Sequence, residues 1–367
     1  SMSRGPSCPL MMAKGETMSD TEANWSGPSP LKKRARLERK TFGAWRVASW
    51  MALGLLSQAC LLNSAPAPPS HPYVLALGTA QDGGLPQIAC HRPCCERVRK
   101  NPTQARMVTS LLLVDPHSNQ RWLLDAGPDL PNQVQLADQI APRPSSPGRP
   151  PLFDGILLTH AHMGHILGLL HLGRESYGAE SQRVICTPSV ASFLRDEAPW
   201  SLLVTAGHIE IQELRPDTML KLNDRLRVEL IQVPHRGEFS DTVAIRIEGP
   251  RGAVLYLPDI DKWTRWDRDL AVELARVQLA FLDATFFGPD ELPGRSMSEV
   301  PHPFVVETMQ QLEHLSAQEK SKVRLIHLNH TNPLHDPDSG ARAEVQRAGF
   351  GLAIQGQPLG LDGTSWD

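Results

Sequence analysis

Thr159-His160-Ala161-His162-Met163-Gly164-His165 sets three imidazoles within six residues. They follow the apolar run Gly155-Ile156-Leu157-Leu158. Side chains alternate along an extended strand, so His160 and His162, two apart, point the same way. His165 comes three residues later, where the pattern turns toward a helix over 166–172. A strand end, a turn and a helix start can aim all three rings at one point. Imidazole is the commonest metal ligand at neutral pH, and three ring nitrogens suit zinc or iron. The plain alternative is a His-rich surface turn, which the apolar strand feeding the triplet argues against. Four other stretches set a ligand-type residue where a strand stops or a helix opens: Val233-Pro234-His235, Leu257-Pro258-Asp259, Pro301-His302 and Ile326-His327-Leu328-Asn329-His330. One such residue alone is usually a turn residue. Several argue for a shared rim, because strand ends on one edge of a sandwich can converge. Cys90-His91-Arg92-Pro93-Cys94-Cys95 is a second cluster. It holds three of the six cysteines, too few for a disulfide scaffold of 367 residues, and its spacing suggests metal binding. A vicinal Cys94–Cys95 disulfide or free thiols are the alternatives, and Cys186 reads as a small buried hydrophobe.

These residues need elements to hold them. The length allows one large domain or two ordinary ones, and 41% apolar residues can fill a core. A net charge of −3 gives no global attraction to nucleic acid, and none is expected as a partner. Residues 1–30 are polar and without periodicity, which predicts disorder. A basic run from Lys32 to Lys40 and an apolar segment within 44–62 follow, then a Pro-rich stretch. That order resembles a secretory signal, although the apolar run is short against the ~20 residues that span a bilayer. Residues 1–70 are therefore expected to be a head that directs export to a periplasm or membrane association through 44–62, with Cys60 as a lipidation candidate. A cytoplasmic protein with a basic tract beside a core helix is the alternative. From residue 71 strand patterns recur at 73–77, 108–114, 122–125, 154–159, 183–186, 208–214, 226–233, 242–248, 253–257, 278–283 and 323–328. Helical patterns lie at 133–140, 189–196, 267–276, 303–315 and 341–348. Two blocks of strands, each trailed by helices, predict an α/β fold over 71–367: a four-layer αββα sandwich. The Gly-rich turn 78–84 is not a phosphate loop, since no Lys-Ser/Thr follows it.

The order His-x-His-x-x-His, His235, Asp259, His327 resembles the metallo-β-lactamase superfamily. Leu77-Gly78-Thr79, Gly83-Gly84-Leu85-Pro86-Gln87, Cys90, Gly168-Leu169-Leu170, Leu282-Asp283 and 325–333 are similar to the PqqB family of pyrroloquinoline quinone biosynthesis and to PhnP-type phosphodiesterases. The resemblance implies one metal site at His160, His162 and His235, a second at His165 and His327, and Asp259 bridging them. It implies that His302 protonates or orients substrate, and that Asp125 orients the metal-site loop. It also implies a structural zinc site. Cys90 and Cys95 match its outer cysteines, His91 or Cys94 must replace the middle one, where Arg92 stands, and His330 is the distant ligand unless His327 takes that role. One departure stands out. The superfamily usually has Asp directly before the third His, and this chain has Gly164. Glycine supplies no ligand, so the second site is expected to be weak, vacant or completed by water.

The first functional expectation is a metal-dependent hydrolase with Zn, Mn or Fe, acting on a phosphodiester or small ester-like substrate. The second is a PqqB-like oxidative step, iron-dependent, in cofactor or peptide maturation, with a small molecule or a peptide as substrate. The third is a non-catalytic metal-binding scaffold.

Overall fold

The structure, a computed structural model, describes residues 70–143, 147–292, 294 and 300–365. The expected head, with its signal-like segment 44–62 and Cys60, lies outside the described residues. Among the described residues no helix is long and apolar enough to cross a membrane.

Among the described residues, fourteen strands carry the fold. They are β1 (Tyr73–Gly78), β2 (Ser110–Asp115), β3 (Gln120–Leu124), β4 (Gly155–Leu157), β5 (Gln182–Cys186), β6 (Ile209–Glu213) and β7 (Met219–Lys221). Then come β8 (Arg227–Val233), β9 (Thr242–Gly249), β10 (Gly252–Leu257), β11 (Leu279–Asp283), β12 (Val323–Ile326), β13 (Gly351–Leu352) and β14 (Pro358–Gly360). They form two seven-stranded sheets, ordered β14-β1-β2-β3-β4-β5-β6 and β13-β12-β11-β10-β9-β8-β7. Each sheet is antiparallel in one part and parallel in the other: β3 through β6 run parallel in the first, β10 through β13 in the second. Strands buried on both faces explain the near-continuous apolar runs in the sequence. In β1, Val74 and Ala76 face the second sheet, while Leu75 and Leu77 face the outer helices. A register slip of one residue would exchange the two sets, so both faces specify the pairing.

Three apolar layers result. The middle one lies between the sheets, around Leu111, Trp122, Val228, Ile245, Tyr256 and Phe281. Outside the first sheet pack α2 (Leu130–Ile140), α4 (Pro188–Asp196) and α5 (Trp200–Thr205), through Leu130, Ala137, Val190, Leu194 and Leu203. Outside the second pack α6 (Leu270–Ala275), α7 (Val305–Gln311) and α9 (Gly340–Arg347), through Leu270, Leu274, Val305 and Val345. This is the αββα sandwich expected from the sequence. Trp263 and Trp266 belong to this outer layer, their indoles donating to Thr308 Oγ1 and the Gln232 carbonyl at 3.0 Å each.

The helix expected over 166–172 is different. An α-helical turn spans only α3 (Met163–Ile166), and 3₁₀ turns follow at Leu167–Leu172. The loop after β3 intercepts the ladder. The Ala126 N–H donates to the His165 carbonyl at 2.7 Å, and the Gly168 N–H donates to the Ala126 carbonyl at 2.8 Å. Gly168 allows this approach, since a Cβ there would stand 2.1 Å from the Gly127 oxygen.

Candidate metal centre

β4 stops at Leu157, and the chain bends through 159–162 before α3 turns. These bends bring His160 Nε2 and His162 Nδ1 to 2.8 Å of each other. Asp259, after β10, brings Oδ2 to 3.4 Å from His160 Nε2 and Oδ1 to 3.3 Å from Nε2 of His235, which follows β8. The ligand atoms of these four residues lie within 4.8 Å of one another. His165 approaches the same oxygen as His160, its Nε2 3.7 Å from Asp259 Oδ2. His327, after β12, faces His165 with ring centroids 5.4 Å apart.

The sequence reading missed one member of this second group. Asp82, from the Gly-rich turn after β1, places Oδ1 3.8 Å from His165 Nε2 and 3.6 Å from His327 Nε2. The available signals were an acidic residue among glycines and a missing one at 164.

Buried polar atoms in folded proteins nearly always have partners. Here Asp82 Oδ1, His165 Nε2, both ring nitrogens of His235, Asp259 Oδ1 and His327 Nε2 are buried without a hydrogen bond. Imidazole nitrogens and carboxylate oxygens facing one another in this way fit divalent cations of the zinc type. Burial pushes the His160 pKa down to about 3 and also lowers His162 and His235, so all three are neutral at pH 7, as metal ligands must be. Burial opposes ionisation of Asp259, but the surrounding imidazoles, His235 first, outweigh it and hold the carboxyl well below its ordinary range.

His165 and His327 are each aimed by a second contact. Asp125, fully buried, accepts from His165 Nδ1 at 2.8 Å, from the Thr159 N–H at 2.8 Å and from the Tyr256 hydroxyl at 3.0 Å. Thr285 Oγ1 meets His327 Nδ1 at 2.9 Å. Orienting partners of this kind set the tautomer and direct the free nitrogen inward. Asp125 and His327 both sit in the left-handed region, at φ 61° and 64°, a conformation uncommon for non-glycine residues and frequent at functional sites. His302 lies at the same rim. Its Nδ1 is 2.8 Å from Asp283 Oδ2 and 3.2 Å from Asp259 Oδ1. Burial opposes its charge, yet Asp283 and Asp259 outweigh that and raise its pKa to about 9.

The cysteine cluster is separate. Cys90, Cys94, Cys95 and His330 bring their ligand atoms within 4.8 Å of one another. Pro93 opens α1 (Pro93–Lys100), whose first turn carries Cys94 and Cys95 back toward Cys90. The two neighbouring sulfurs are 4.0 Å apart and unbonded. Burial raises Cys94, pushes Cys95 to about 12 and lowers His330. His91, expected as a candidate ligand, does not join. Its side chain precedes the helix, is 86% exposed, and turns to Glu96 at 3.2 Å. Cys94 takes the place left open by Arg92, and His327 belongs to the other centre.

Residues 120–328 match the family model described as the beta-lactamase superfamily domain. Coenzyme PQQ synthesis protein B of Xanthomonas campestris pv. campestris (strain B100) is 26% identical over 309 residues, covering 78% of this chain and 99% of that protein. Its counterpart in Methylorubrum extorquens (strain PA1) is 25% identical over 308 residues, covering 79% and 100%. Among solved structures, Zn(2+)-bound PqqB from Methylobacterium extorquens aligns with a TM-score of 0.67 at 22% identity, over 78% of this chain and 99% of that one. A diphosphatase from the PhnP family aligns with a TM-score of 0.56 at 19% identity, over 78% and 96%.

Proposed function

The chain belongs to the β-lactamase superfamily, in its metallo-β-lactamase-fold, PqqB-like branch, and on that footing we propose that it is a metal-dependent hydrolase of a phosphodiester or small ester-like substrate. One observation carries the reading: buried ligand atoms of His165, His235, Asp259 and His327 converge with no partner of their own. His160, His162 and His235 would hold one cation and His165 and His327 the other, with Asp259 within reach of both groups. Zinc fits the nitrogen-rich set, with manganese and iron as competitors. Bound there, such cations act as Lewis acids and bring the pKa of a water toward neutrality.

The chain's own groups do the rest. Asp259 holds its negative charge between the two His groups. Asp283 fixes His302 through Nδ1, which leaves Nε2 to protonate a leaving oxygen. Asp125 and Thr285 keep His165 and His327 from rotating away. The Cys90, Cys94, Cys95 and His330 cluster would hold a structural zinc and so tie the loop after β1 to the segment after β12.

The test is hydrolysis of a chromogenic phosphodiester by zinc- or manganese-loaded protein. His302→Ala should lower the rate by roughly 10²–10⁴ with unchanged metal content, the range for loss of a general acid. His160→Ala turning over as fast as the wild type would sink the reading. Metal binding with no turnover of any ester would leave the scaffold function.

A second reading has its own support, since the curated relatives over nearly their whole length are PQQ synthesis proteins. Three imidazoles and a carboxylate also suit iron, and an oxidative step on a cofactor precursor or peptide would consume dioxygen. Oxygen uptake by the iron-loaded protein with such a substrate, absent with zinc, separates the two.

A further inference from the structure

Gly164 and Asp82 are linked in space. A Cβ built on Gly164 would lie 1.9 Å from Asp82 Oδ1 and 2.7 Å from its Cγ. Real Cβ atoms do not approach so closely, so the Asp82 carboxylate fills the volume that any side chain at 164 would enter. The same oxygen is buried, lacks a hydrogen bond, and faces the free nitrogens of His165 and His327. Asp82, His165 and His327 bring their ligand atoms within 4.8 Å of one another.

The loop that presents Asp82 is held from several sides. The Gln81 N–H donates to the Leu328 carbonyl at 2.9 Å, and the Leu328 N–H donates to the Thr79 carbonyl at 2.9 Å, beside His327. The Gly84 N–H closes back on the Gln81 carbonyl at 2.7 Å, and Gly84 takes a φ of 64° that suits glycine. Asp82 is therefore carried on the backbone that leads into the second His group.

We propose that the carboxylate of the second cation site has moved from the histidine motif to the Gly-rich turn: Asp82, with His165, His327 and Asp259, completes the site. Position 164 is glycine because Asp82 needs its space. The proposal rests on the metal-centre reading above and replaces the expectation that Gly164 leaves the second site short of a ligand. It reverses what Gly164→Asp should do. The new side chain collides with Asp82 instead of supplying a missing group.

The experiment measures metal per chain by plasma mass spectrometry after loading with zinc or manganese, with titration of the second equivalent. The variants are Asp82→Ala, Gly164→Asp, the double variant Asp82→Gly/Gly164→Asp, and His160→Ala as a control for the centre as a whole. Circular dichroism of the chelated proteins checks folding. Removing an orienting partner costs ~10–100-fold in affinity, and a direct ligand should cost at least as much. Asp82→Ala should thus lose one equivalent, or bind it at least about tenfold more weakly, and keep the others. Gly164→Asp should also lose it, and the double variant should recover it. If Asp82→Ala binds the second cation like the wild type, the relocation is wrong while the metal centre stands. If the double variant folds and binds no better than Asp82→Ala, the exchange between 82 and 164 is wrong. If His160→Ala and Asp82→Ala both leave the metal content untouched, the metal-centre reading itself fails.

Discussion

Replacing Asp125 with alanine should cost about 3–5 kcal/mol of stability, the range for breaking a buried charged pair. The figure follows from its donors. The carboxylate is fully buried and receives the Thr159 N–H, the Tyr256 hydroxyl and His165 Nδ1. Each buried donor left without a partner costs roughly 1–3 kcal/mol, and water entering the vacated volume recovers part of that. Tyr256→Phe is the contrasting perturbation. It removes one donor and leaves Asp125 with the Thr159 N–H, the Thr159 hydroxyl and His165 Nδ1, so it should cost about 1 kcal/mol. In the double variant the phenol no longer needs the carboxylate, and the losses should fall short of additive by roughly 0.5–3 kcal/mol. Urea unfolding in chelator isolates these terms, because a bound cation would itself stabilise the native state. The midpoint should move at constant m-value. A domain of ordinary stability, ~5–15 kcal/mol, survives the change. A loss under about 1 kcal/mol for Asp125→Ala, or equal losses for Asp125→Ala and Tyr256→Phe, would refute the view that Asp125 anchors this rim.

Two further outcomes follow from the geometry. Cys95→Ser should remove one zinc equivalent per chain and lower the thermal midpoint, whereas His91→Ala should leave both unchanged; metal analysis with calorimetry distinguishes them. Gly168→Ala should destabilise by ~1–3 kcal/mol through the clash with the Ala126–Gly127 loop, and an unchanged unfolding midpoint would contradict the close approach found there.

The two-sheet architecture was visible in the sequence because its strands are buried on both faces. Runs such as Leu111-Leu112-Leu113 and Leu255-Tyr256-Leu257 announce themselves by composition, whatever their partners. Short edge strands such as β7 and β13 did not, since two or three residues give no period to detect. The helix α1 shows no apolar period, because its mostly charged sequence has only Cys95 and Val98 buried. The segment 166–172 has apolar helical spacing, yet the Ala126–Gly127 loop takes its hydrogen bonds.

The sequence alone settled which histidines could meet. Three histidines within six residues after an apolar strand place His160, His162 and His165 together, and apolar runs that stop at His235, Asp259 and His327 mark strand ends on a shared rim. Only the tertiary structure brought Asp82 against Gly164. Asp82 lies in the turn after β1 and Gly164 in α3, and no local periodicity relates residues so far apart in the chain. Their dependence is one of volume: a carboxylate and a Cβ cannot occupy the same space, and which residue supplies the carboxylate is decided by the packing of the loop after β1 onto the loop after β12. The same packing excluded His91 and gathered Cys94 with Cys90, Cys95 and His330.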